Sequence, residues 1–456
     1  MAVHNAEEVD VVVIGMGPGG EDAAGRLAEA GLSVVGVEAR LVGGECPYYG
    51  CVPTKMMIRG ANLLAEGRRI PGLAGDATVT ADWTQVAKRI REEATDSWDD
   101  RVAAERFTGR GGRLVRGYGR ITAPGEVTVG DQVFRPRRGI VLNPGTEPVV
   151  PPIDGLAGTP FWTNREAVRA EAAPGSLVVL GGGAIGTEMA QAFSRFGTRV
   201  TVVESRDRLL AVEEPEACDL LREVFEREGI TVRTGARATA VRHADGAFTV
   251  DLGGETVRGE ALLVSTGRRT RLRELGVGAI GLDADARTIE TDEWMRAAEG
   301  VWAIGDVTGK GAFTHMSMYQ ADIVVRDILG QGGPPADYRA VPRVTFTDPE
   351  VGAVGLTEAQ ARERGINVRT GLTRIPESSR GWIHKAGNDG FIKLVQDADR
   401  GVLVGATSAG PAGGEVLSAL AVAVHGEVPV ERLRHMIYAY PTFHRAIETA
   451  VKDLEV

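Results

Sequence analysis

The chain has 456 residues and a formal net charge of −10. Its length predicts about two or three domains, and its charge argues against nucleic acid or an anionic membrane as a partner. No apolar run approaches the roughly 18 residues that span a bilayer, and the opening letters MAVHNAEE lack the apolar segment of a secretory signal. Three cysteines are too few for a structural disulfide framework, so we expect a cytoplasmic protein.

The first predicted elements form a strand–helix–strand unit. A continuous apolar run over 11–14 predicts a parallel strand that is buried on both faces; a helical stretch to residue 30 and a strand over 33–37 follow it. The turn before the helix has a G-x-G-x-x-G pattern, formed by Gly15, Gly17 and Gly20. Such glycines let a pyrophosphate approach a helix N-terminus, and Glu38 could accept hydrogen bonds from a ribose. The pattern predicts a dinucleotide-binding unit.

A cysteine pair follows directly, in the letters GGECPYYGCVPTK. Cys46 and Cys51 are five positions apart, a rise of about 7.5 Å in an ideal helix, whereas a disulfide needs Cα atoms roughly 4.4–6.8 Å apart. A bridge here would require a distorted helical turn, which Gly50 could allow, and strained bridges open and close readily. Metal binding is disfavoured because no second ligand pair is present. Tyr48 and Tyr49 could line a substrate mouth or serve packing.

This stretch resembles the redox-active C-x4-C helix of the FAD-dependent pyridine nucleotide–disulfide oxidoreductases, which include dihydrolipoamide dehydrogenase, glutathione reductase, mycothione reductase and mercuric reductase. The resemblance implies a redox-active disulfide, with Cys51 as the thiolate against the flavin and Cys46 as the thiol that meets the substrate. It also implies that Lys55 lies near flavin N5 and pairs with Glu188. A cation there would favour negative charge on the reduced flavin and on the thiolate.

The middle of the chain predicts helices and then short strands. Residues 61–107 carry long amphipathic helical patterns, and strand-rich pieces follow between residues 114 and 142. The family usually has Ala-Thr-Gly where this chain has Asn143-Pro144-Gly145, a divergence that we interpret as tolerated. A related motif, Ser265-Thr266-Gly267, comes later. Both motifs are interpreted as crossing points between domains.

A second strand–helix–strand unit repeats the first. It has a strand over 177–180, a helix to residue 196 and a strand that ends at Glu204. Its glycines are Gly181, Gly183 and Gly186, and the interval from first glycine to acid is 23 residues in both copies. Two units predict two dinucleotides, a flavin next to the cysteines and a nicotinamide here. Glu204 favours NAD because its carboxylate would repel a 2′-phosphate, while Arg206 and Arg208 leave NADP open.

A second flavin motif is predicted over 301–306, a strand ending in Gly-Asp. The resemblance implies that Asp306 bonds the ribityl chain. It also implies that Thr314 and His315 open a helix beside the pyrimidine end of the flavin, where we interpret His315 as packing rather than catalytic. The predicted FAD-binding residues are Gly15, Gly17, Gly20, Glu38, Gly44, Lys55, Gly119, Gly145, Gly305, Asp306, Thr314 and His315. The predicted NAD-binding residues are Gly181, Gly183, Gly186, Glu204 and Gly267.

From residue 338 onward the pattern changes to strands and helices of an α+β layout. The letters TFTDPE, from Thr345 to Glu350, match the C-terminal dimerisation domain of the family and imply a homodimer. The predicted fold class is α/β, with two Rossmann-like dinucleotide-binding domains and a C-terminal α+β dimerisation domain. The predicted domains are 1–152 with 273–336 for FAD, 153–272 for NAD(P), and 337–456 for dimerisation.

The resemblance breaks near the C-terminus. The family has His-Pro-Thr-x-x-Glu, supplied by the partner subunit as an acid/base pair, but this chain has Tyr440-Pro441-Thr442 and Arg445. A phenol with a pKa of about 10 can donate a proton but is a poor base at neutral pH, unlike an imidazole at about 6.5. The retained Pro441 allows a cis bond, and Arg445 could hold an anion or lower the pKa of the phenol. Alternatively, His444 and Glu448 form a displaced pair. A further alternative is that the substrate is not a disulfide that needs this proton and that Tyr440 with Arg445 recognises something else, or that these are surface residues at a site no longer used.

Three functions stay open from the sequence. The first is an FAD-dependent oxidoreductase that passes electrons between NAD(P)H, flavin and the Cys46–Cys51 disulfide to an unidentified thiol or disulfide substrate. The second is an NAD(P)H quinone reductase, or diaphorase, acting directly from the flavin, and the third is a non-enzymatic flavin-binding dimer. Cys218 is the last cysteine, predicted as a half-buried filler, so the C-terminal cysteine pairs of mercuric reductase and large thioredoxin reductases are absent.

Overall fold

The structure is a computed structural model that describes residues 6–454. The strands, in chain order, are β1 (Glu7–Ile14), β2 (Val34–Glu38), β3 (Arg113–Arg116), β4 (Gly119–Ala123), β5 (Glu126–Val129), β6 (Gln132–Leu142), β7 (Glu147–Pro148), β8 (Ser176–Leu180), β9 (Arg199–Val203), β10 (Thr231–Arg233), β11 (Ala240–Ala244), β12 (Ala247–Asp251), β13 (Thr256–Gly259), β14 (Ala261–Val264), β15 (Arg268–Arg269), β16 (Arg296–Ala298), β17 (Val301–Ala303), β18 (Pro342–Thr345), β19 (Glu350–Gly355), β20 (Val368–Arg374), β21 (Phe391–Asp397) and β22 (Val402–Gly410). The α-helices are α1 (Pro18–Glu29), α2 (Glu45–Tyr48), α3 (Cys51–Arg68), α4 (Trp83–Arg89), α5 (Arg101–Gly109), α6 (Asn164–Arg169), α7 (Ala184–Arg195), α8 (Pro215–Arg227), α9 (Leu272–Leu275), α10 (Thr314–Ile328), α11 (Glu358–Glu363), α12 (Ser379–His384), α13 (Gly413–His425), α14 (Val430–Arg434) and α15 (Ala446–Asp453).

The first of two compact units comprises the described residues through Pro53, Lys88–Val149 and Arg268–Tyr338. Its main sheet has the order β16-β17-β6-β1-β2-β3, parallel from β17 to β3, and β4 with β5 forms an antiparallel arm on β6. Val11 and Val13 of β1 belong to one core cluster with α1 and α10, while Val12 and Ile14 belong to a second cluster. The central strand is therefore apolar on both faces, which explains its continuous apolar run.

The second unit comprises Thr54–Ala87, Val150–Gly267 and the described residues from Arg339 onward. It contains a parallel sheet of order β10-β9-β8-β14, a small antiparallel sheet β11-β12-β13, and an antiparallel sheet of order β18-β19-β22-β21-β20. Helix α13 packs on β19 and β22, and α15 packs on β20 and β21. Two parallel nucleotide-binding-type sheets and a C-terminal α+β layer confirm the predicted fold class, while the three predicted domain boundaries stay a prediction.

The prediction of long helices over 61–107 is wrong, because the helical path is interrupted at several places. Helix α3 ends at Arg68 and the next helix begins only at Trp83. A π-helical turn over Ile90–Ala94 and a turn over Asp96–Trp98 with left-handed backbone then interrupt the helical path before α5. The strand predicted to reach Asp306 stops at Ala303. Among residues 6–454, no helix is both long and apolar enough to cross a membrane; residues 1–5, part of the stretch scanned for a secretory signal, lie outside the described range.

Candidate active site

The turn between β1 and α1 is so crowded that only glycine fits at two positions. Gly15 has a φ of +93°, and a Cβ there would lie 2.1 Å from the carbonyl oxygen of Asn143. A Cβ on Gly20 would lie 2.0 Å from the carbonyl oxygen of Gly15, so α1 packs directly against the turn. Gly17, with extended backbone, is the N-cap of α1. The turn thus brings a helix N-terminus close to the strand end, the arrangement that binds a pyrophosphate.

Glu38 ends β2, and its carboxylate is tied to this turn. Its Oε2 accepts a hydrogen bond from the Met16 N–H at 2.8 Å, and its Oε1 accepts one from the Arg40 N–H at 2.8 Å. Burial raises the pKa of Glu38, and the two backbone hydrogen bonds oppose that rise. Because each carboxylate oxygen has two lone pairs, Glu38 retains acceptor capacity for a ribose hydroxyl.

Asn143 belongs to the site, although the sequence interpretation treated it only as a tolerated divergence. Its side chain is 6% exposed. Its Nδ2 donates to the Gly15 carbonyl oxygen at 3.1 Å, and its Oδ1 accepts a hydrogen bond from the Ser317 hydroxyl at 3.2 Å. A Cβ on Gly305, which has a φ of +77°, would lie 2.8 Å from the same Oδ1. Asn143 therefore links the glycine turn to Gly305 and to α10, and the only sequence signal was its departure from the family motif.

Asp306 begins a chain of hydrogen bonds that leads toward the cysteines. The Thr146 hydroxyl donates to Asp306 Oδ2 at 2.7 Å and accepts a hydrogen bond from Arg268 Nε at 2.8 Å. Arg268 Nη2 also donates to the Thr146 carbonyl oxygen at 2.6 Å and lies 3.7 Å from Glu45 Oε2. Arg268 and Thr146 thus connect the predicted ribityl-binding carboxylate with the residue that precedes Cys46.

The helix that carries the cysteines is interrupted at Tyr49 and Gly50, between α2 and α3. The N–H groups of both residues donate to the Glu45 carbonyl oxygen, at 2.8 and 2.7 Å. The predicted distortion is therefore confirmed. A Cβ on Gly50 would lie 3.2 Å from the Glu45 carbonyl oxygen and 3.6 Å from the Cys46 Cα atom. Because Gly50 has no side chain, its backbone can lie close to Glu45 and Cys46.

Cys51 lies where two helices begin. It is the first residue of α3, and its Sγ is 3.5 Å from Oγ1 of Thr314, the first residue of α10. Helix N-termini favour negative charge, so this position favours a thiolate. The His315 ring stacks on Phe313 with centroids 5.1 Å apart, a packing contact. Tyr48, between the cysteines, is 6% exposed, so packing describes it better than a substrate mouth.

The remaining glycines predicted for FAD have different surroundings. Gly44 has a φ of +69°, and a Cβ there would lie 3.0 Å from the Gly17 Cα atom, so the cysteine stretch lies against the glycine turn. Gly145 has a φ of +66° with no atom near its Cβ position. Gly119 begins β4, and a Cβ there would lie 3.0 Å from the Ile14 side chain. The structure therefore places Gly119 in sheet packing.

The second glycine turn, in the second unit, repeats the first in detail. Gly181 has a φ of +107°, and a Cβ there would lie 2.4 Å from the Ser265 carbonyl oxygen. A Cβ on Gly186 would lie 2.0 Å from the Gly181 carbonyl oxygen. Gly183 is the N-cap of α7 and has no atom within 4 Å of its Cβ position, and Gly267 has a φ of +130°. The helix N-terminus is therefore accessible to a second dinucleotide.

Glu204 has the same hydrogen bonds as Glu38. Its Oε2 accepts from the Gly182 N–H at 2.6 Å, and its Oε1 accepts from the Arg206 N–H at 2.7 Å. In both units the acid thus binds the backbone of the residue after the first glycine and of the residue two positions beyond itself. The predicted repeat is confirmed at the level of hydrogen bonds.

Lys55 and Glu188 form an ion pair in the second unit. Lys55 Nζ lies 2.8 Å from Glu188 Oε2 and 4.6 Å from the centroid of the Phe346 ring. Glu188, 6% exposed, accepts a second hydrogen bond from the Phe346 N–H at 2.8 Å. Gln191 lies three positions after Glu188 on α7 and binds the backbone of Asp348 twice. Its Oε1 accepts from the Asp348 N–H at 2.7 Å, and its Nε2 donates to the Asp348 carbonyl oxygen at 2.8 Å. The loop after β18 thereby fixes the carboxylate that holds Lys55.

The Asp348 side chain extends this network. Its Oδ2 accepts hydrogen bonds from Arg195 at 2.8 Å and from Arg69 at 2.7 Å, and Arg195 also pairs with Glu228 at 2.6 Å. The Arg195 side chain is 4% exposed, so its positive charge is balanced by two carboxylates inside the unit. Asp348 is 153 positions from Arg195 and 157 from Gln191, so these contacts carry no local sequence signal.

Tyr440 lies on the surface, 68% exposed. The Tyr440–Pro441 peptide bond is cis, as the sequence interpretation allowed. The Arg445 guanidinium carbon lies 5.4 Å from the centroid of the Tyr440 ring, and Arg445 Nη1 donates to the Tyr438 carbonyl oxygen at 3.1 Å. Arg445 is therefore a neighbour of the phenol ring.

The displaced pair of His444 with Glu448 does not form in the structure. Glu448 accepts from Arg445 at 3.0 Å and from Lys452 at 2.8 Å, and hydrogen bonding to Lys452 lowers the pKa of Glu448. The His444 ring instead lies 6.1 Å from the Tyr438 ring. The reason is local: α15 begins only after Arg445, so the one-turn spacing assumed for a helix does not apply to His444.

Cys218 is more buried than predicted. It is 1% exposed, and burial raises the pKa of its thiol to about 11. Its Sγ contacts the carbonyl oxygens of Leu210 and Glu214 at 3.5 and 3.4 Å, so it fills a core position. Within the part of the chain that the structure describes, no three His, Cys, Asp or Glu side chains gather as a metal site would require.

Two family profiles match the chain. Pyridine nucleotide-disulphide oxidoreductase matches residues 9–321, and the dimerisation domain of the same family matches residues 341–451. The chain belongs to the pyridine nucleotide-disulphide oxidoreductase family. As a member it is an oxidoreductase that uses FAD and NAD(P)H, and its dimerisation domain indicates a homodimer. The glycine turns fit these cofactors, since each brings a helix N-terminus to a strand end and no atom lies within 4 Å of a Cβ position at the N-cap Gly183.

Known relatives span the whole chain. It is 33% identical to dihydrolipoyl dehydrogenase of Thermus scotoductus, covering 98% of this chain and 97% of the relative. It is 30% identical to a mercuric reductase of Acidithiobacillus ferrooxidans, covering 99% of this chain and 83% of the relative. Among solved structures, it is similar to the HOCl-induced flavoprotein disulfide reductase RclA of Escherichia coli (25% identity, TM-score 0.85, 97% of this chain and 99% of that one). It is also similar to LpdA of Mycobacterium tuberculosis (26% identity, TM-score 0.85, 98% and 100%).

Proposed function

We propose that this chain is an NADH-dependent flavoprotein of the cytoplasm that reduces a disulfide or related acceptor through the Cys46–Cys51 pair. The observation that carries the proposal is the position of Cys51, at the N-terminus of α3 and 3.5 Å from the first residue of α10. Glu204, whose Oε2 accepts from the second glycine turn and whose Oε1 accepts from the Arg206 N–H, supports NADH over NADPH because a 2′-phosphate would meet a fixed carboxylate.

The residues that would hold the flavin are the first glycine turn, Glu38 and Asp306. When bound, the flavin takes hydride from a nicotinamide and supplies two electrons to a neighbouring disulfide. Cys51 is the proposed thiolate at the flavin, stabilised by two helix N-termini, and Cys46 is the proposed thiol for the acceptor. Lys55 follows Cys51 by four positions in the sequence, and its ammonium, held by Glu188 at 2.8 Å, is the proposed cation that favours negative charge on the reduced flavin and on the thiolate.

The C-terminal loop supports reduction of an acceptor over oxidation of a dithiol. Oxidising a substrate dithiol requires a base to take the thiol proton, and a phenol is a poor base at neutral pH. Reducing an acceptor requires a proton donor, a role that Tyr440 or solvent can fill. Glu448 is held by Arg445 and Lys452, so it is not positioned to orient a base. We infer that the reaction runs from NADH to the acceptor.

Anaerobic titration with one equivalent of NADH tests the proposed electron path. A long-wavelength absorbance band of a thiolate beside oxidised flavin is expected, and it should disappear in Cys51→Ser. Full bleaching of the flavin at one equivalent, unchanged in Cys46→Ser, would contradict the proposal and favour a quinone reductase acting from the flavin.

Assays of dihydrolipoamide oxidation test the proposed acid/base chemistry. Wild type should oxidise dihydrolipoamide slowly, and the double variant Tyr440→His with Arg445→Glu should oxidise it about 10²-fold faster, since general-base catalysis contributes about 10²–10⁴. The single variant Arg445→Glu is the matched control and should show no gain. Wild-type oxidation as fast as that of the double variant would contradict the proposed role of the missing base.

A further inference from the structure

The segment that interrupts the predicted helices has an unusual backbone. Asp96, Ser97 and Trp98 have φ values of +46°, +59° and +60°, and none of them is glycine. Left-handed backbone is unfavourable for such residues and persists only where surrounding contacts hold it. A π-helical turn over Ile90–Ala94 precedes it directly, and such turns are frequent at functional sites.

Thr95 holds this turn from inside. Its side chain is 1% exposed, and its hydroxyl lies 3.0 Å from the Ile90 carbonyl oxygen and 3.1 Å from that of Arg91. The same hydroxyl accepts a hydrogen bond from the Trp98 N–H at 3.3 Å. The unfavourable conformation is therefore built into the fold at a defined place, and it orients the Trp98 side chain.

Trp98 binds the C-terminal end of the cysteine helix α2, and Asp100, two residues later, binds the chain three residues before that helix. Trp98 Nε1 donates to the Tyr48 carbonyl oxygen at 3.2 Å, at the C-terminal end of α2, where helical carbonyls lack partners within the helix. Asp100 Oδ2 accepts from the Val42 N–H at 2.6 Å, ahead of α2. Asp100 is itself 8% exposed and held by Arg116 at 2.6 and 2.8 Å. Cys46 thus lies on a short helix that is fixed on both sides.

We propose that Trp98 is a positioning residue for the cysteine pair. Its indole N–H, together with Asp100, holds α2 so that Cys46 stays close to Cys51. This inference rests on the proposed redox role of the pair. Releasing the Tyr48 end would let α2 move and would lower the effective concentration of one sulfur at the other. The disulfide would then form less readily, and the pair would be reduced by milder reductants.

Equilibration of the FAD-bound protein with glutathione buffers tests the inference. The protein S–S bond breaks while one forms between two glutathiones, two electrons pass to the protein, and the two glutathione thiol protons go to Cys46 and Cys51. Alkylation and mass spectrometry then measure the fraction of the pair in dithiol form. In Trp98→Phe, which keeps a ring but removes the N–H, the equilibrium constant for reduction should rise about three- to tenfold, the size of one hydrogen bond. Tenfold corresponds to about 30 mV.

Matched variants distinguish this positioning role from a general loss of rigidity in the protein. Trp382→Phe, at an indole that is 72% exposed, should leave the equilibrium unchanged. Ser97→Gly should also leave it unchanged while raising resistance to urea, because glycine adopts a positive φ without cost. If Trp98→Phe loses its flavin, Asp100→Asn serves instead and should shift the equilibrium in the same direction.

The outcomes distinguish this inference from the proposed function. An equilibrium in Trp98→Phe equal to that of wild type, or a shift in Ser97→Gly as large as in Trp98→Phe, would overturn the positioning role alone. A wild-type pair that exchanges with glutathione in none of the buffers would overturn the proposed redox function and this inference with it.

Discussion

Replacing Asn143 by alanine should weaken FAD binding, although alanine is the residue that the family usually has there. The change removes the hydrogen bonds to the Gly15 carbonyl oxygen at 3.1 Å and from the Ser317 hydroxyl at 3.2 Å. A hydrogen bond contributes about 0.5–1.5 kcal/mol net, so two contribute about 1–3 kcal/mol. We expect these two hydrogen bonds to stabilise the glycine turn in the conformation that binds FAD. Their loss should therefore raise the dissociation constant for FAD about 5- to 100-fold, since 1.4 kcal/mol is tenfold.

The assay is reconstitution of the apoprotein, followed by the change in flavin fluorescence as FAD is added. Ser317→Ala is the matched control, because it removes one of the two hydrogen bonds and should give a smaller loss. In Asn143→Asp the donor to Gly15 is also lost, and two oxygens then face each other, so the loss should be at least as large as in Asn143→Ala. An Asn143→Ala protein that binds FAD as tightly as wild type would refute the reasoning.

Three further predictions concern the second unit. Gly186→Ala should abolish binding of NADH by titration while the FAD content stays unchanged, because the new Cβ would lie 2.0 Å from a backbone carbonyl oxygen. Glu188→Gln should slow flavin reduction by NADH about tenfold in stopped flow, since Lys55 loses its charged partner at 2.8 Å, and an unchanged rate would contradict that role. Lys393→Met should lower the free energy of unfolding at pH 7 by about 3–5 kcal/mol in urea at fixed protein concentration, because it leaves three carboxylates without their buried cation. Those carboxylates, 2.7–3.0 Å from the ammonium, are Glu214, Glu216 and Glu358. Burial acts to lower the pKa of Lys393, but the hydrogen bonds to these carboxylates outweigh it and raise that pKa, so the wild-type stabilisation is complete below the usual lysine pKa of about 10.4 and is lost as the pH rises through the folded-state pKa.

The nucleotide-binding units were predictable because backbone geometry dictates their sequence. A parallel strand buried on both faces must be apolar throughout, and the turn after it admits only glycine where a Cβ would meet a carbonyl oxygen at 2.0–2.4 Å, as at Gly20, Gly181 and Gly186. Between Ala61 and Phe107, the break after Arg68 carries a sequence signal, Pro71-Gly72, but the break over Asp96–Trp98 carries none. The left-handed residues there are Asp, Ser and Trp, which lack the glycine or proline that normally signals a break.

The residues of the candidate site were likewise predictable only in part. Glu38 and Glu204 were found because each ends a strand at a fixed distance from a glycine turn. The contacts of Asn143, Gln191 and Trp98 were missed, because they join side chains to backbone groups far away in the chain. A backbone N–H or carbonyl belongs to every residue, so one sequence carries no sign of which one a side chain will bind.

The difference between electron and proton chemistry explains where this chain departs from its family. The proposed electron path depends on turns and helix ends, such as the position of Cys51 at the start of α3, and these tolerate few substitutions. The proton path depends on single side chains of one loop, where Tyr440 is 68% exposed in the single chain, so little packing within the chain opposes a change. Substitution at that loop can alter which acceptor is served, and in which direction, while the fold and the cofactor sites stay the same. On this reasoning, acceptors for this enzyme are best sought among compounds that take electrons without needing a histidine base.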